Sequence, residues 1–426
     1  MSANNGDDSM QPQQPQQRLE EHEHEHEEYD EQEETYIEPE EVADVVADED
    51  DAAGHEPMDD DDEEEEEEEE GKEGTSADGP EDEVLLEDDS VQGFFTHEKS
   101  VFSVDLSPTQ PNIAVSGGED EKAYVWRTDN GELVAELDKH QDSVSAVQFS
   151  KDGSLVAAAG MDGKINVYKT TDFSKCATLE GPDEVQWVEW HPKGNVLLAG
   201  GSGDGSMWMW SLPNGDFMNV FNGHSVPVTC GRFTNNGRNI VSGAEDGSLI
   251  IWDPKTASVV RRFSPDDERF HQDGITTLAL SKDDQVVLTG SMDGTARLVH
   301  FNNGTILGSL DNAAESVEAV GLCSVLPLAA TGSVDGTLSI WDISTMRLRT
   351  TLKHEDSVTR LQWHQESPLL TSVSVDGTVR TWDARTGECV HMWKGHQDAI
   401  LDFSMTPDGK IVVTASDDTC CLVFAP

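Results

Sequence analysis

The stretch HEDSVTRLQWHQESPLLTSVSVDGTVRTWD, residues 354–383, sets a His, a Ser, an Asp and a Trp at fixed intervals among short apolar runs, and its pattern recurs along the chain. His354 precedes Asp376 by 22 residues; His140/Asp162, His224/Asp246, His271/Asp293 and His396/Asp418 repeat that interval, and His97/Asp120 exceeds it by one. Two further units keep the Asp without the His, so Asp landmarks stand at 120, 162, 204, 246, 293, 335, 376 and 418, in steps of 42 residues apart from one of 47 and one of 41. Six residues beyond each comes Trp126, Tyr168, Trp210, Trp252, Val299, Trp341, Trp382 or Phe424. Self-similarity on such a period means stacked units, none of which buries its apolar face alone.

Within a period the apolar runs are short, as in Val144 to Phe149, Leu155 to Ala159 and Ile165 to Tyr168, and turn clusters such as Lys151-Asp152-Gly153 and Met161-Asp162-Gly163 separate them. That is the spacing of four antiparallel strands per unit. A period near 42 with these His and Trp-Asp signals predicts an all-β fold, a WD-repeat β-propeller. Residues 91–426 hold 336 residues, eight periods of 42, so eight blades are expected. After Phe424 only Ala425 and Pro426 follow, whereas earlier units run on into strands such as Glu132 to Leu137 or Glu388 to Trp393. The last blade is therefore expected to take its outer strand from Val91 to Phe95, which precedes His97 as Val390 to Trp393 precedes His396. Such closure removes an open sheet edge.

Ser, His and Asp together invite a catalytic reading. The set is complete in several units (His97, Ser116, Asp120, Trp126; His224, Ser242, Asp246, Trp252; His354, Ser372, Asp376, Trp382), and no enzyme needs its triad at several places around a ring. These tetrads are expected to be structural, satisfying polar groups that blade packing buries, and no enzymatic activity is expected.

Residues 1–90 are a different material: 41 Asp or Glu against Arg18 and Lys72, a net charge of −39 that leaves −20 for residues 91–426 out of −59 in all. A segment with the run Asp59 to Glu70 and so few apolar residues is expected to be a disordered low-complexity tail. Within it His22-Glu23-His24-Glu25-His26 contains the letters of a zinc-protease motif, but that motif works only on a rigid helix, so no metal and no cofactor are expected. The six Cys show no paired spacing and suit reduced packing residues. A chain this acidic repels nucleic acid and anionic membranes. Basic proteins are the favoured partners, the protein itself is expected to be a monomer, and the absence of a leader or an 18-residue apolar run predicts a cytosolic or nuclear location.

Propellers bind through loops around the mouth of the channel. Two residues before the innermost strand of each unit stand Lys99, Asp142, Asp183, Val226, Asp273, Glu315, Asp356 and Asp398, six of eight acidic. Glu184 is adjacent, and Glu119, Glu245 and Asp417 precede the tetrad Asp in the neighbouring loop. These carboxylates are the candidate partner site, an expected ring of negative potential, although Asp at such a place also caps its own loop. In the third place of the innermost strand Trp187 and Arg360 break the pattern of small residues and are further candidates for partner contact.

The strings GGEDEKAYVW (117–126), EWHPKGNVLLAG (189–200), SMWMWSLPNGD (206–216), WDARTGE (382–388) and AILDF (399–403) go well beyond generic repeat signals, and across the propeller the chain resembles the angio-associated migratory cell protein family. The resemblance implies a non-enzymatic WD-repeat protein with an acidic leader. It also implies a function, because the fungal counterpart of that family is a dedicated chaperone of large-subunit ribosomal protein L-ten (universal class uL-sixteen), capturing the client's basic N-terminal segment and supporting large-subunit assembly. Two alternatives stand beside it. The family name suggests a scaffold in signalling or cell migration, and Trp382-Asp383-Ala384-Arg385 matches a box by which some propellers dock on cullin-type ubiquitin ligases.

Overall fold

Residues 87–426 are described by a computed structural model; the expected acidic tail falls almost wholly outside them. Thirty-two strands form eight antiparallel sheets of four, the expected eight blades. Burial follows position within a blade. The innermost strands, such as Val101–Leu106, Val144–Phe149 and Ile400–Met405, bury their first, fourth and sixth residues and turn the third and fifth toward the channel. The next strands, Ile113–Gly118, Leu155–Gly160 and Leu328–Ser333, are buried at every residue because each lies between two neighbouring blades. That is why the sequence shows continuous apolar runs there instead of alternation. Outer strands such as Leu133–Glu136 and Ser258–Phe263 face solvent and are mostly exposed.

Seven innermost strands carry a register shift near their start, for example between Val101 and Ser103, Val358 and Arg360, and Ile400 and Asp402. A bulge there bends the strand and re-aims the third residue. In the fourth blade the innermost strand is Cys230–Phe233, starting later than the expected Val228. Pro227 just ahead of that site has no N–H to give the ladder.

The ring closes where expected. Gln92–Phe94 pairs antiparallel with the last strand, Cys421–Phe424, matching Gln92 to Val423, Gly93 to Leu422 and Phe94 to Cys421. The docked segment begins before residue 91: the Asp89 N–H donates to the Lys394 carbonyl at 2.8 Å, the Lys394 N–H returns to Asp89 Oδ2 at 3.0 Å, and Lys394 Nζ lies 2.7 Å from Glu87 Oε2. Phe94 is the anchor. It is buried, stacks on Trp126 of the first blade at 5.0 Å between ring centroids, and meets Tyr124 and His97 edge-on.

Neighbouring blades are also stitched along the channel. The free edge of an innermost strand leaves backbone groups without a sheet partner, and at three of the eight seams side chains from the preceding blade accept its N–H groups, while Ser145, Thr229, Thr276 and Thr359 donate to carbonyls of the following blade. Ser103 Oγ takes the Val147 N–H (3.2 Å), Asp105 Oδ2 takes Phe149 (2.9 Å) and Gln148 Oε1 takes Trp190 (3.2 Å). Across the closure the same bonds recur, Asp402 Oδ2 to Val104 (3.1 Å) and Ser404 Oγ to Leu106 (3.1 Å).

Deleting residues 1–85 should leave the thermal midpoint of the protein unchanged, whereas deleting 1–96 should lower it sharply by exposing the edge of Cys421–Phe424. Phe94→Ala alone should cost roughly 3–5 kcal/mol in chemical unfolding. Equal stability of the two truncations would contradict the closure.

Candidate functional site

Each tetrad positions a rim loop. In the first blade the Trp126 indole N–H can only donate, and it donates to Ser116 Oγ at 3.2 Å. Asp120 Oδ2 can only accept, so His97 Nδ1–H donates to it (2.9 Å), and the Ser116 hydroxyl donates to the bare Nε2 of the neutral ring (2.9 Å). The seventh blade repeats this direction through Trp382, Ser372, His354 and Asp376 at 2.9, 2.8 and 3.1 Å. The carboxylate finally accepts the backbone N–H just after the His, from Glu98 (3.3 Å) or Glu355 (3.0 Å), and Asp162, Asp293 and Asp418 hold Gln141, Gln272 and Gln397 in the same way. Ser116, Ser242 and Ser372 are fully buried, and each hydroxyl bridges its His and Trp.

One expected pairing is corrected. His224 Nδ1 bonds Ser248 Oγ at 2.8 Å and not Asp246, although Ser242 still joins His224 and Trp252 at 2.8 Å each. Arg262 Nη2 stands 3.5 Å from Asp246 Oδ2. The carboxylate lies beside that exposed guanidinium, and the hydroxyl two residues on fills its place against His224.

In every blade a backbone bond joins the loop before the tetrad Asp to the loop before the innermost strand: Glu119 to Ser100, Met161 to Ser143, Ser202 to Glu184, Glu245 to Pro227, Met292 to Gly274, Val334 to Ser316, Val375 to Ser357 and Asp417 to Ala399, N–H donor first. All the candidate rim acids therefore lie on one edge of the ring. Asp142, Asp183, Asp273, Glu315, Asp356 and Asp398 are exposed, as are Glu184 and Glu245, while Glu119 and Asp417 are half-buried. Four of them also cap their loops: Asp142, Asp273, Asp356 and Asp398 accept the next residue's N–H through Oδ1 at 2.7–2.8 Å. Ser291, Ser333, Ser374 and Ser416 donate to the carbonyls of Asp273, Glu315, Asp356 and Asp398 and hold the backbone beneath them. Capping and binding are compatible, since the exposed side chain keeps its second oxygen and its charge. Glu119 pairs with Lys99 at 3.2 Å, and Glu184 Oε2 accepts from Ser202 Oγ at 2.5 Å, so both are partly engaged already.

Trp187 is a packing residue in the structure. Its ring occupies the space that side chains at Gly200 and Gly231 would need, with an added Cβ at those positions 2.4 and 2.1 Å from the ring, and its N–H donates to the Val228 carbonyl at 2.7 Å. Only part of it shows in the channel. Arg360 does line the channel, with Nε 3.7 Å from Asp402 Oδ1. The Arg385 side chain folds back on Asp383 at 2.6 Å, ordinary turn chemistry for the Trp-Asp-Ala-Arg box.

The channel, a cavity of about 550 Å³ reached by side chains of every blade, holds carboxylates that sequence reasoning did not single out. Burial pushes the Asp105 carboxyl up to about 6 against the hydrogen bond from Phe149 N–H and the charge of Lys151. Burial likewise raises Asp402, with Arg360 opposing. The signal was present in the sequence, because both occupy channel-facing places, third and fifth, of their strands.

Comparison with known proteins follows the geometry. The family model for the WD domain, G-beta repeat, matches residues 89–127 and 131–169, and that for the Nucleolar protein 10-like N-terminal domain matches residues 175–426. The chain is 41% identical over 352 residues to the angio-associated migratory cell protein of Canis lupus familiaris, covering 79% of this chain and 80% of that one. It is 25% identical over 381 residues to the ribosome assembly protein SQT1 of Saccharomyces cerevisiae, covering 80% and 88%. Among solved structures it is similar to Chaetomium thermophilum Sqt1 bound to the N-terminus of ribosomal protein L10 (the L-ten class), with a TM-score of 0.75 and 29% identity over 80% of this chain and 100% of that one.

Two buried groups tilt stability with pH in opposite senses. Burial lowers His224 to about 4, so its contribution is present above pH ~6.5 and is lost as pH falls toward 4. Asp105 is raised, so the folded state holds its proton longer and stability falls as pH rises from ~3.8 through 6. Urea unfolding between pH 4 and 7 should therefore show Asp105→Asn gaining on the parent by about 1–3 kcal/mol as pH rises, and His224→Gln losing the parent's acid-side decline. Parallel profiles for all three proteins would refute this assignment.

Proposed function

The chain belongs to the angio-associated migratory cell protein family of WD-repeat propellers, and on that premise we propose that it acts by binding, as a dedicated chaperone for the basic N-terminal segment of a ribosomal protein of the L-ten class, in support of large-subunit assembly. The observation that carries this reading is the ring of exposed carboxylates on one edge, Asp142, Asp183, Asp273, Glu315, Asp356 and Asp398. The likeness to a fungal propeller bound to the N-terminus of that ribosomal protein supports the same client.

The physics is that of many weak contacts. An exposed ion pair contributes about 0.2–1 kcal/mol, so no single rim acid decides binding, but several acting on one Arg/Lys-rich segment add up. The capped aspartates lose little side-chain entropy when they engage, because a backbone N–H already fixes one oxygen. Excess negative charge also steers a cationic segment toward the rim and speeds its capture. The protein is proposed to act in the cytosol, in the nucleus, or in both.

Binding of a synthetic L-ten N-terminal peptide should be fast and should weaken steadily as salt rises past about 0.15 M, where screening shortens to ~8 Å. One Asp→Ala change in the rim should weaken it only a few-fold. Reversing three or more of the six to Lys should abolish capture while circular dichroism stays unchanged; normal binding by the reversed protein at physiological salt would overturn the acidic-rim mechanism.

A further inference from the structure

The eighth blade departs from the Trp-bearing tetrads in two ways that meet at one point. Phe424 stands where five blades carry Trp, so no indole N–H fixes the tetrad hydroxyl, here Thr414. Thr414 Oγ1 lies 2.6 Å from His396 Nε2 and 3.3 Å from the Leu422 carbonyl. It can donate to either, and when it donates to the carbonyl it accepts a proton-bearing Nε2. In blades with Trp the indole N–H occupies one lone pair of the hydroxyl, and the tetrad Asp carboxylate, which can only accept, keeps the proton on Nδ1. At His396 the Asp418 carboxylate also holds Nδ1–H, at 2.7 Å, but Thr414 is free to accept from Nε2, so Nδ1 can give up its proton to a metal ion without leaving Nε2 unpaired.

The second departure is Cys420. Two residues after the tetrad Asp, the other blades carry Lys122, Lys164, Ser206, Ser248, Thr295, Thr337 and Thr378. Cys420 Sγ lies 2.8 Å from Asp418 Oδ1 and 3.8 Å from His396 Nδ1, and Asp418 Oδ2 lies 2.7 Å from that Nδ1. The three ligand atoms sit within 4.8 Å of one another, on residues that are half-buried overall, with the His396 side chain itself fully buried. The fifth blade is the internal comparison. It also lacks the indole at Val299, and Thr289 Oγ1 also approaches a carbonyl, that of Arg297 at 3.4 Å, but Thr295 supplies only a hydroxyl.

We propose that His396 Nδ1, Asp418 and Cys420 Sγ form a binding site for a zinc-class dication, with water as the fourth ligand. An imidazole nitrogen, a thiolate and a carboxylate are the donor set such an ion takes at 2.0–2.3 Å. The present contacts are hydrogen-bond lengths and open by less than about 1 Å to admit it. Binding moves the imidazole proton from Nδ1 to Nε2, where Thr414 accepts it, and releases the thiol proton to solvent, with no change of oxidation state. The neighbouring Cys421 is excluded, since it faces the apolar cluster of Phe94 and Val101 on the opposite side of its strand. The ion tightens the loop that carries Asp398, because Asp418 already holds the Gln397 N–H at 3.0 Å. This site does not depend on the client proposed above.

The test is titration of the metal-stripped full chain with Co²⁺ and then Zn²⁺, in a background where His22, His24 and His26 are replaced by Asn to remove the loose binding of a His-rich leader. One Co²⁺ per chain should bind with a sulfur-to-cobalt band in the near ultraviolet and be displaced by Zn²⁺. Cys420→Ser, which places there the residue already present as Ser206 and Ser248, should keep the fold, abolish the band and weaken binding at least about 100-fold. Cys389→Ser, at an exposed Cys outside the site, should change neither. Absence of the band in the parent, its survival in Cys420→Ser, or its loss in Cys389→Ser would each overturn the proposal.

Discussion

The open edge of the innermost strand is the constraint from which much of the molecule follows. A four-stranded blade has two edges, and the inner one faces the channel with N–H groups that its own sheet cannot satisfy. The ring answers with side chains lent from blade to blade, Ser103 to Val147 and Asp105 to Phe149, and with the same device at the closure, Asp402 to Val104 and Ser404 to Leu106. The outer edge of the last blade is answered differently, by Gln92–Phe94. Closure thus joins residues about 300 positions apart with the bonds used between adjacent repeats, and Phe94 ties that seam into the first blade's tetrad.

Two populations of carboxylate result, and they should not be confused. Asp105 and Asp402 are held in the channel by backbone donors, raised by burial and partly balanced by Lys151 and Arg360. Their function is structural, and their charge is costly where they sit. The rim acids are exposed, their loops are held by tetrad and serine bonds, and their charge is free to meet a partner. The sequence alone treats both as acidic residues near an innermost strand.

Much of the architecture was legible because a propeller writes its geometry into period and register. The interval from His354 to Asp376 and the position of Val91 to Phe95 before His97 led directly to eight blades and to the closing strand. The rim was legible for the same reason, since a place counted back from an innermost strand has one position on the ring. What escaped was decided by contacts between repeats or by single hydroxyls. Trp187 remained a candidate for partner contact because the space it fills comes from Gly200 on its own blade and Gly231 on the next. The His224–Asp246 pair read as intact because sequence spacing does not show that Ser248 takes the place of the carboxylate, which lies beside Arg262 instead. Asp105 was overlooked because its partner N–H, on Phe149, belongs to another blade.

Repetition also shapes how the rim can discriminate. A pocket concentrates affinity in a few buried contacts, whereas loops on a common ring spread it over many shallow ones of similar strength. Selectivity then comes from whether a client's cations match the spacing and the rigidity of the acids, and the rim is not uniform in rigidity. Asp142, Asp273, Asp356 and Asp398 are locked by their own loops, while Glu315 has a held backbone and a longer, freer side chain, and Val226 interrupts the ring in the fourth blade with no charge at all. If the rim takes a flexible cationic segment as proposed, that segment would be held most firmly over the blades with capped aspartates and least over the first and fourth, where Lys99 and Val226 stand, which would give the ring a preferred arc despite the near-equivalence of its blades.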